Sequence, residues 1–142
     1  MRSKTPLILM EQVVMVLVFA LAAALCLRVF AFSNQMSERS KDVDNAVLLA
    51  QNTAEMIKAC GGVEEATEVM GGKIRQTLWS TYYDADMKPV PDQVSAYYEV
   101  NALPENSDVK GLGRANIEVV RFSEEEALFS LTVAWREVNG NG

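Results

Sequence analysis

Glu11 is the only carboxylate in an apolar run that extends from Leu7 to Leu27. A charged side chain at membrane depth costs about 2.5–3.5 kcal/mol on insertion scales, so its presence calls for a partner or a way out. Glu11 lies about one turn inside the run, where it could reach headgroups or pair with Arg2 or Lys4.

The remaining reactive residue types offer little chemistry. The chain has no histidine, which removes the commonest general base and metal ligand. Ser80, Ser95 and Ser130 therefore have no imidazole to activate them, and no motif supplies a lysine base. Asp84, Asp86 and Asp92 cluster near Tyr82 and Tyr83 and could hold Ca²⁺. They lack the glycine and closing glutamate of an EF-hand loop, and an exposed acidic turn is the better reading. Glu124-Glu125-Glu126 reads as a solvated hairpin tip, and Gly111-Leu112-Gly113 lacks the rest of a dinucleotide fingerprint. Trp79 and Trp135 fall on strand patterns and are expected in the core. We expect no catalytic residue, no metal site and no cofactor.

Cys26 lies in the apolar run and Cys60 lies well beyond it. On one continuous helix they would stand about 50 Å apart, and a disulfide needs Cα atoms within about 7 Å. A free thiol at Cys60 is expected, with pairing between chains as the alternative. The net charge is −6, and removing Arg2, Lys4, Arg28 and Glu11 leaves 10 basic and 18 acidic residues from Ser33 onward, a net −8. Nucleic-acid binding needs a basic footprint, so no nucleic-acid partner is expected.

Leu7 to Arg28 would span about 32 Å as a helix, which matches a hydrocarbon core of about 30 Å. Arg2 and Lys4 precede the run, so the positive-inside rule places the N-terminus in the cytoplasm and the remainder outside it. Cleavage as a secretory signal at Val29-Phe30-Ala31 is the rival reading. The length of the run, the charge at Glu11 and a helical pattern that continues past Ala31 weigh against it. A lipoprotein site at Cys26 would need a small residue where Leu25 stands.

Beyond the run, Met36, Val43, Val47, Ala50, Ala54 and Ile57 recur at helical spacing, while Asp42, Asp44, Gln51, Glu55 and Lys58 fall off that stripe. No proline or glycine interrupts Leu7–Cys60, and Gly61-Gly62 follows as a stop. One helix of roughly 50 residues is expected. Val63–Met70 reads as a short second helix. The period then changes to two. Four strands are expected: Thr77–Tyr83, Ser95–Leu103, one around Ala115, Ile117 and Val119, and one over Phe129, Leu131, Val133 and Trp135. Pro104–Gly113 reads as a loop. Short links favour an antiparallel meander, with its apolar face on the stripe of Val43, Val47, Ala50, Ala54 and Ile57.

A long N-terminal helix, half in the membrane, packed on a four-stranded antiparallel sheet resembles the type IV pilins and the pseudopilins of type II secretion. The likeness reaches individual residues at Leu7-Ile8-Leu9-Met10-Glu11, which is similar to the Phe-Thr-Leu-Ile-Glu start of the mature family members. It implies an α+β, pilin-like fold. It divides the chain into a basic leader or cytoplasmic tail (1–6), a transmembrane half-helix (7–32), an amphipathic extracytoplasmic half (33–60), a helix-and-sheet domain (61–138) and a flexible tail (139–142).

The resemblance also implies a non-catalytic filament subunit that is inserted in the membrane before assembly. Its partners would be like subunits, in a homo- or hetero-oligomer, together with membrane assembly machinery and a prepilin peptidase. Pro6 and Leu7 would form the leader junction, and Glu11 would set the register against a neighbour's N-terminal amine. Val13, Val16, Ala20, Ala24 and Leu27 would pack between helices. One residue departs from the family. The peptidase cuts after glycine, and here Pro6 occupies that position. An uncut chain would instead be a single-pass anchor that presents its sheet domain as a binding module and never polymerises.

Overall fold

A computed structural model describes residues 4–124 and 126–137. The expected tail at 139–142, Glu125 and the first residues of the leader lie outside the described residues. The chain is α+β, with one long N-terminal helix and an antiparallel sheet. It divides into two compact units, 1–40 and 41–142.

Helix α1 runs from Thr5 to Cys60. Its start follows from Pro6, which sits in the first turn, where its fixed φ suits a helix and its missing N–H is not needed. Its end follows from Gly61, at φ 86, and both Gly61 and Gly62 donate their N–H groups to the Ile57 carbonyl at 3.0 and 3.1 Å. That left-handed turn suits glycine, which has no Cβ to clash.

In the first unit every described side chain of α1 is exposed. The helix there is long and apolar enough to cross a membrane.

The second unit holds the rest of α1, helix α2 (Val63–Met70) and a six-stranded sheet. The strands are β1 (Lys73–Arg75), β2 (Leu78–Tyr83), β3 (Pro89–Val90), β4 (Tyr98–Glu105), β5 (Leu112–Arg121) and β6 (Ala127–Arg136). Their order is β1-β2-β4-β5-β6, with β3 also pairing β2, and all pairs are antiparallel. The count of four is therefore corrected to six. The two added strands have three and two residues, too short for a period to register. The expected Pro104–Gly113 loop is also shorter, because Pro104 pairs with Ala115 and Gly113 with Trp135. The strands on either side extend into it.

Alternation on the central strands places Trp79, Val100, Ala102, Ala115, Ile117, Val119 and Val133 on one buried face. They share a core with Ala46, Leu49, Ala50, Ala54 and Ile57 of α1, and with Val63 and Ala66 of α2. The α1 stripe is thus rotated from expectation. Ala50, Ala54 and Ile57 are buried, but Val43 and Val47 are only half-buried, and Asp42 is buried at 7 % exposure. Ala46, Ala50 and Ala54 are buried, so the small residues rather than the valines mark the line of α1 that faces the core.

Candidate functional site

Two groups of residues deserve a functional reading, one in each unit. On the apolar part of α1, Pro6, Leu7, Glu11, Val13, Val16, Ala20, Ala24 and Leu27 are all exposed. At about 100° per residue, Val13, Val16, Ala20, Ala24 and Leu27 fall together on one face, and Glu11 falls half a turn away on the opposite face. Among the described residues Glu11 makes no ion pair, and the Lys4 side chain does not reach it. Leu7, Met15, Val18, Ala22 and Leu25 share the side of Glu11, so this part of the helix is apolar all round and exposed, with one carboxylate near its start.

The second group was not legible beforehand. Asp42 stands one turn before Ala46 on α1, at the edge of the core. Its Oδ1 accepts a 2.8 Å hydrogen bond from the Tyr98 hydroxyl, and its two oxygens lie 3.4 and 3.3 Å from the Tyr97 hydroxyl, which donates to them. Arg121 Nη1 lies 3.5 Å from Asp42 Oδ2 and 3.1 Å from Glu124 Oε1. Asn45 Nδ2 donates to the Tyr98 hydroxyl at 3.1 Å.

The sheet brings these groups together. Tyr98 opens β4 and pairs with Arg121 at the end of β5. Tyr97 meets Tyr98 edge to face at 4.8 Å, and the Arg121 guanidinium sits 5.0 Å from the Tyr97 ring centre. The result is a charged, aromatic clamp between one helix turn and two strand ends.

Its electrostatics favour holding rather than reacting. Burial pushes the Tyr98 hydroxyl up to about 12; the Asn45 hydrogen bond opposes this, while the hydrogen bond and charge of Asp42 add to it. Tyr98 thus keeps its proton and donates it to Asp42. The carboxylate is occupied by two phenols and a guanidinium, leaving little room to act on a substrate. Arg121 Nε is buried without a hydrogen-bond partner. The missed signal lay in the spacing 42, 46, 50, 54, which places Asp42 in line with the alanines.

The other candidates resolve into local structure. Asp84 Oδ1 accepts the N–H groups of Asp86 and Lys88, both at 2.9 Å, so it organises the turn between β2 and β3. Among the described residues no group of three acidic or thiol side chains could hold a metal ion. Ser80 donates to Asn101 Oδ1 at 2.6 Å and Ser130 to Asn116 Oδ1 at 3.1 Å, as sheet cross-links. Trp79 is fully buried, with its Nε1 donating to the Gly71 carbonyl at 2.9 Å. Trp135 is half-buried over Gly113. Cys26 and Cys60 are free thiols. A cleft of about 430 Å³ is lined by Gly71, Gly72, Lys73, Thr81, Tyr82 and Pro89, among others, with one cation and no acid or base opposite it.

Comparison with protein-family models, with curated proteins and with solved structures returns no match to this chain.

Proposed function

We infer that this chain is a non-catalytic structural subunit of a filament of the type IV pilus or type II secretion kind, held in the cytoplasmic membrane before assembly. In this reading the N-terminus is cytoplasmic and the sheet unit lies outside. The observation that carries it is the single carboxylate Glu11, without an ion pair among the described residues, near the start of a fully exposed apolar helix whose opposite side holds Val13, Val16, Ala20, Ala24 and Leu27. An open helical filament needs two different surfaces on each subunit, one to give and one to receive. A charge in lipid is tolerated when a neighbour supplies its counter-charge. Glu11 would meet a basic group of one neighbour while the apolar face packs on another.

A second reading draws on Pro6. The Pro6–Leu7 bond lies in the first turn of α1, and its leading residue is a proline where the resemblance implies glycine. A protease would have to open that turn and accept a ring in place of an unhindered backbone. An uncut chain is a single-pass anchor that presents the sheet unit to an extracytoplasmic ligand.

The deciding experiment is the intact mass and N-terminal sequence of the protein recovered from native membranes. A chain beginning at Leu7 supports the filament subunit. One beginning at Met1 or Arg2 supports the anchor, and one beginning at Phe32 overturns both.

A further inference from the structure

Between Leu7 and Phe32 the chain carries one acid and one base, Glu11 and Arg28, and no other charged side chain. Both are exposed, and among the described residues neither makes an ion pair. They cannot meet within one chain. They lie 17 residues apart on the unbroken helix α1, which separates them by about 25 Å along the axis and about 100° around it.

That separation is close to the thickness of a hydrocarbon core, about 30 Å. In a membrane each charge therefore has its own exit, Glu11 to the headgroups on one side and Arg28 to those on the other. A subunit that leaves the bilayer for a filament loses both exits. Opposite charges in equal number are then left in apolar surroundings, and pairing offsets the cost that each would carry alone.

Parallel helices in register leave each Glu11 about 25 Å from the Arg28 of a second copy. Antiparallel helices would match both charges at once, but under the positive-inside rule Arg2 and Lys4 place every N-terminus on one side of the membrane. An offset between parallel helices matches the charges and keeps the direction. We propose that in the assembled filament Glu11 of one copy pairs with Arg28 of a second copy, the two helices running parallel and offset by 17 residues.

The residues one turn from each charge fit that contact. Leu7, Ile8 and Met15 flank Glu11, and Ala24, Leu25 and Phe32 flank Arg28, all of them apolar. They would enclose the ion pair and keep salt from screening it. Glu11 and Arg28 are different surfaces of one subunit, so the contact is heterologous. Each repeat also advances by about 25 Å, so the series stays open and cannot close into a ring. The contact uses no free amine at Leu7 and does not depend on cleavage after Pro6. It rests on the filament reading above and names the basic group that Glu11 meets.

Charge exchange in the full chain tests the pairing, read by the yield of sheared surface fibres and by membrane fractionation. Glu11→Arg and Arg28→Glu are each expected to cut fibre yield severalfold while the protein stays in the membrane, and the double exchange should restore it. A second measurement fixes the offset. With Cys26→Ser and Cys60→Ser in place, Met15→Cys of one copy and Ala31→Cys of the next fall on the same side of the ion pair, about one turn beyond it. Within one chain those two positions are too far apart for a disulfide. Mild oxidation of fibres carrying both should give a ladder of covalent multimers, and Met15→Cys with Ala22→Cys should give no ladder. Wild-type fibre yield in Arg28→Glu, a double exchange no better than either single, or equal ladders from the two cysteine pairs would each overturn the pairing and leave the filament reading standing. An absence of fibres from the wild type would overturn both.

Discussion

The hydroxyl of Tyr98 donates a 2.8 Å hydrogen bond to the buried carboxylate of Asp42, 56 residues earlier in the chain. That contact fastens α1 to the start of β4. Arg121 and Tyr97 complete the enclosure, so the cluster is a lock on the sheet unit.

Removing the acceptor should expose its cost. Asp42→Ala leaves two phenols and a guanidinium without their shared partner, and an unsatisfied buried polar group costs about 1–3 kcal/mol. A loss of about 2 kcal/mol is expected by urea unfolding, monitored on the aromatic signal of the sheet unit. A change within about 0.5 kcal/mol, the ordinary range for a surface site, would show that the cluster is not a lock.

The same lock should open in strong base. The Tyr98 hydroxyl titrates at 10.0 when unfolded and at about 12 when folded, chiefly through burial. Between those values the folded state holds a proton that the unfolded state has lost, so stability falls as pH rises. The contribution is fully present below pH 10.0 and disappears as pH passes about 12. Tyr83 is shifted in the same direction by burial and adds to the slope. Thermal melting from neutral to alkaline pH should show this decline, and Tyr98→Phe should flatten it.

Gly113 and Trp135 form a second exacting pair. A Cβ on Gly113 would stand within 2.6 Å of three indole atoms, the nearest being Cε2 at 2.3 Å. The ring is rigid and half-buried, so Gly113→Ala should cost about 1–3 kcal/mol as overpacking. Combined with Trp135→Leu, the penalty should shrink, and a double-mutant cycle will measure the coupling. Additive losses would mean that the indole moves aside freely.

Trp79 is expected to dominate the core. It is fully buried and its indole N–H is satisfied by Gly71. Trp79→Ala should cost about 3–5 kcal/mol, enough to unfold many domains outright. Trp79→Phe keeps most of the volume and loses the hydrogen bond, so a milder loss is expected in the same unfolding assay.

Glu11 discriminates between the two proposed functions. In a filament subunit, Glu11→Gln should abolish assembly while membrane localisation persists, read by pelleting of sheared surface fibres and by membrane fractionation. In a non-polymerising anchor the same change should leave localisation and any binding intact, and insertion should improve because a charge has been removed from the apolar run.

Much of the secondary structure was legible in the chain because the signals are local. The apolar run, the absence of proline and glycine over Leu7–Cys60 and the glycine pair that follows define α1 without any distant partner. The same holds for α2, and for the four longer strands through their two-residue period. Their ends were less legible. Pro104 and Gly113 are breakers in isolation, yet pairing with Ala115 and Trp135 draws both into strands.

Of the candidate sites, Glu11 and the face opposite it follow from sequence and helical geometry alone. The lock did not. Asp42 has the composition of a surface helix residue, and only the pairing of β4 with β5 brings Tyr98 and Arg121 together against it. What the sequence by itself determined was each element's type and its apolar side, since both arise from neighbours within a few residues. The tertiary structure decided the rotation of the α1 stripe, the burial of Asp42 and the two short strands. Each of those depends on contacts between residues far apart in the chain, which no local period encodes.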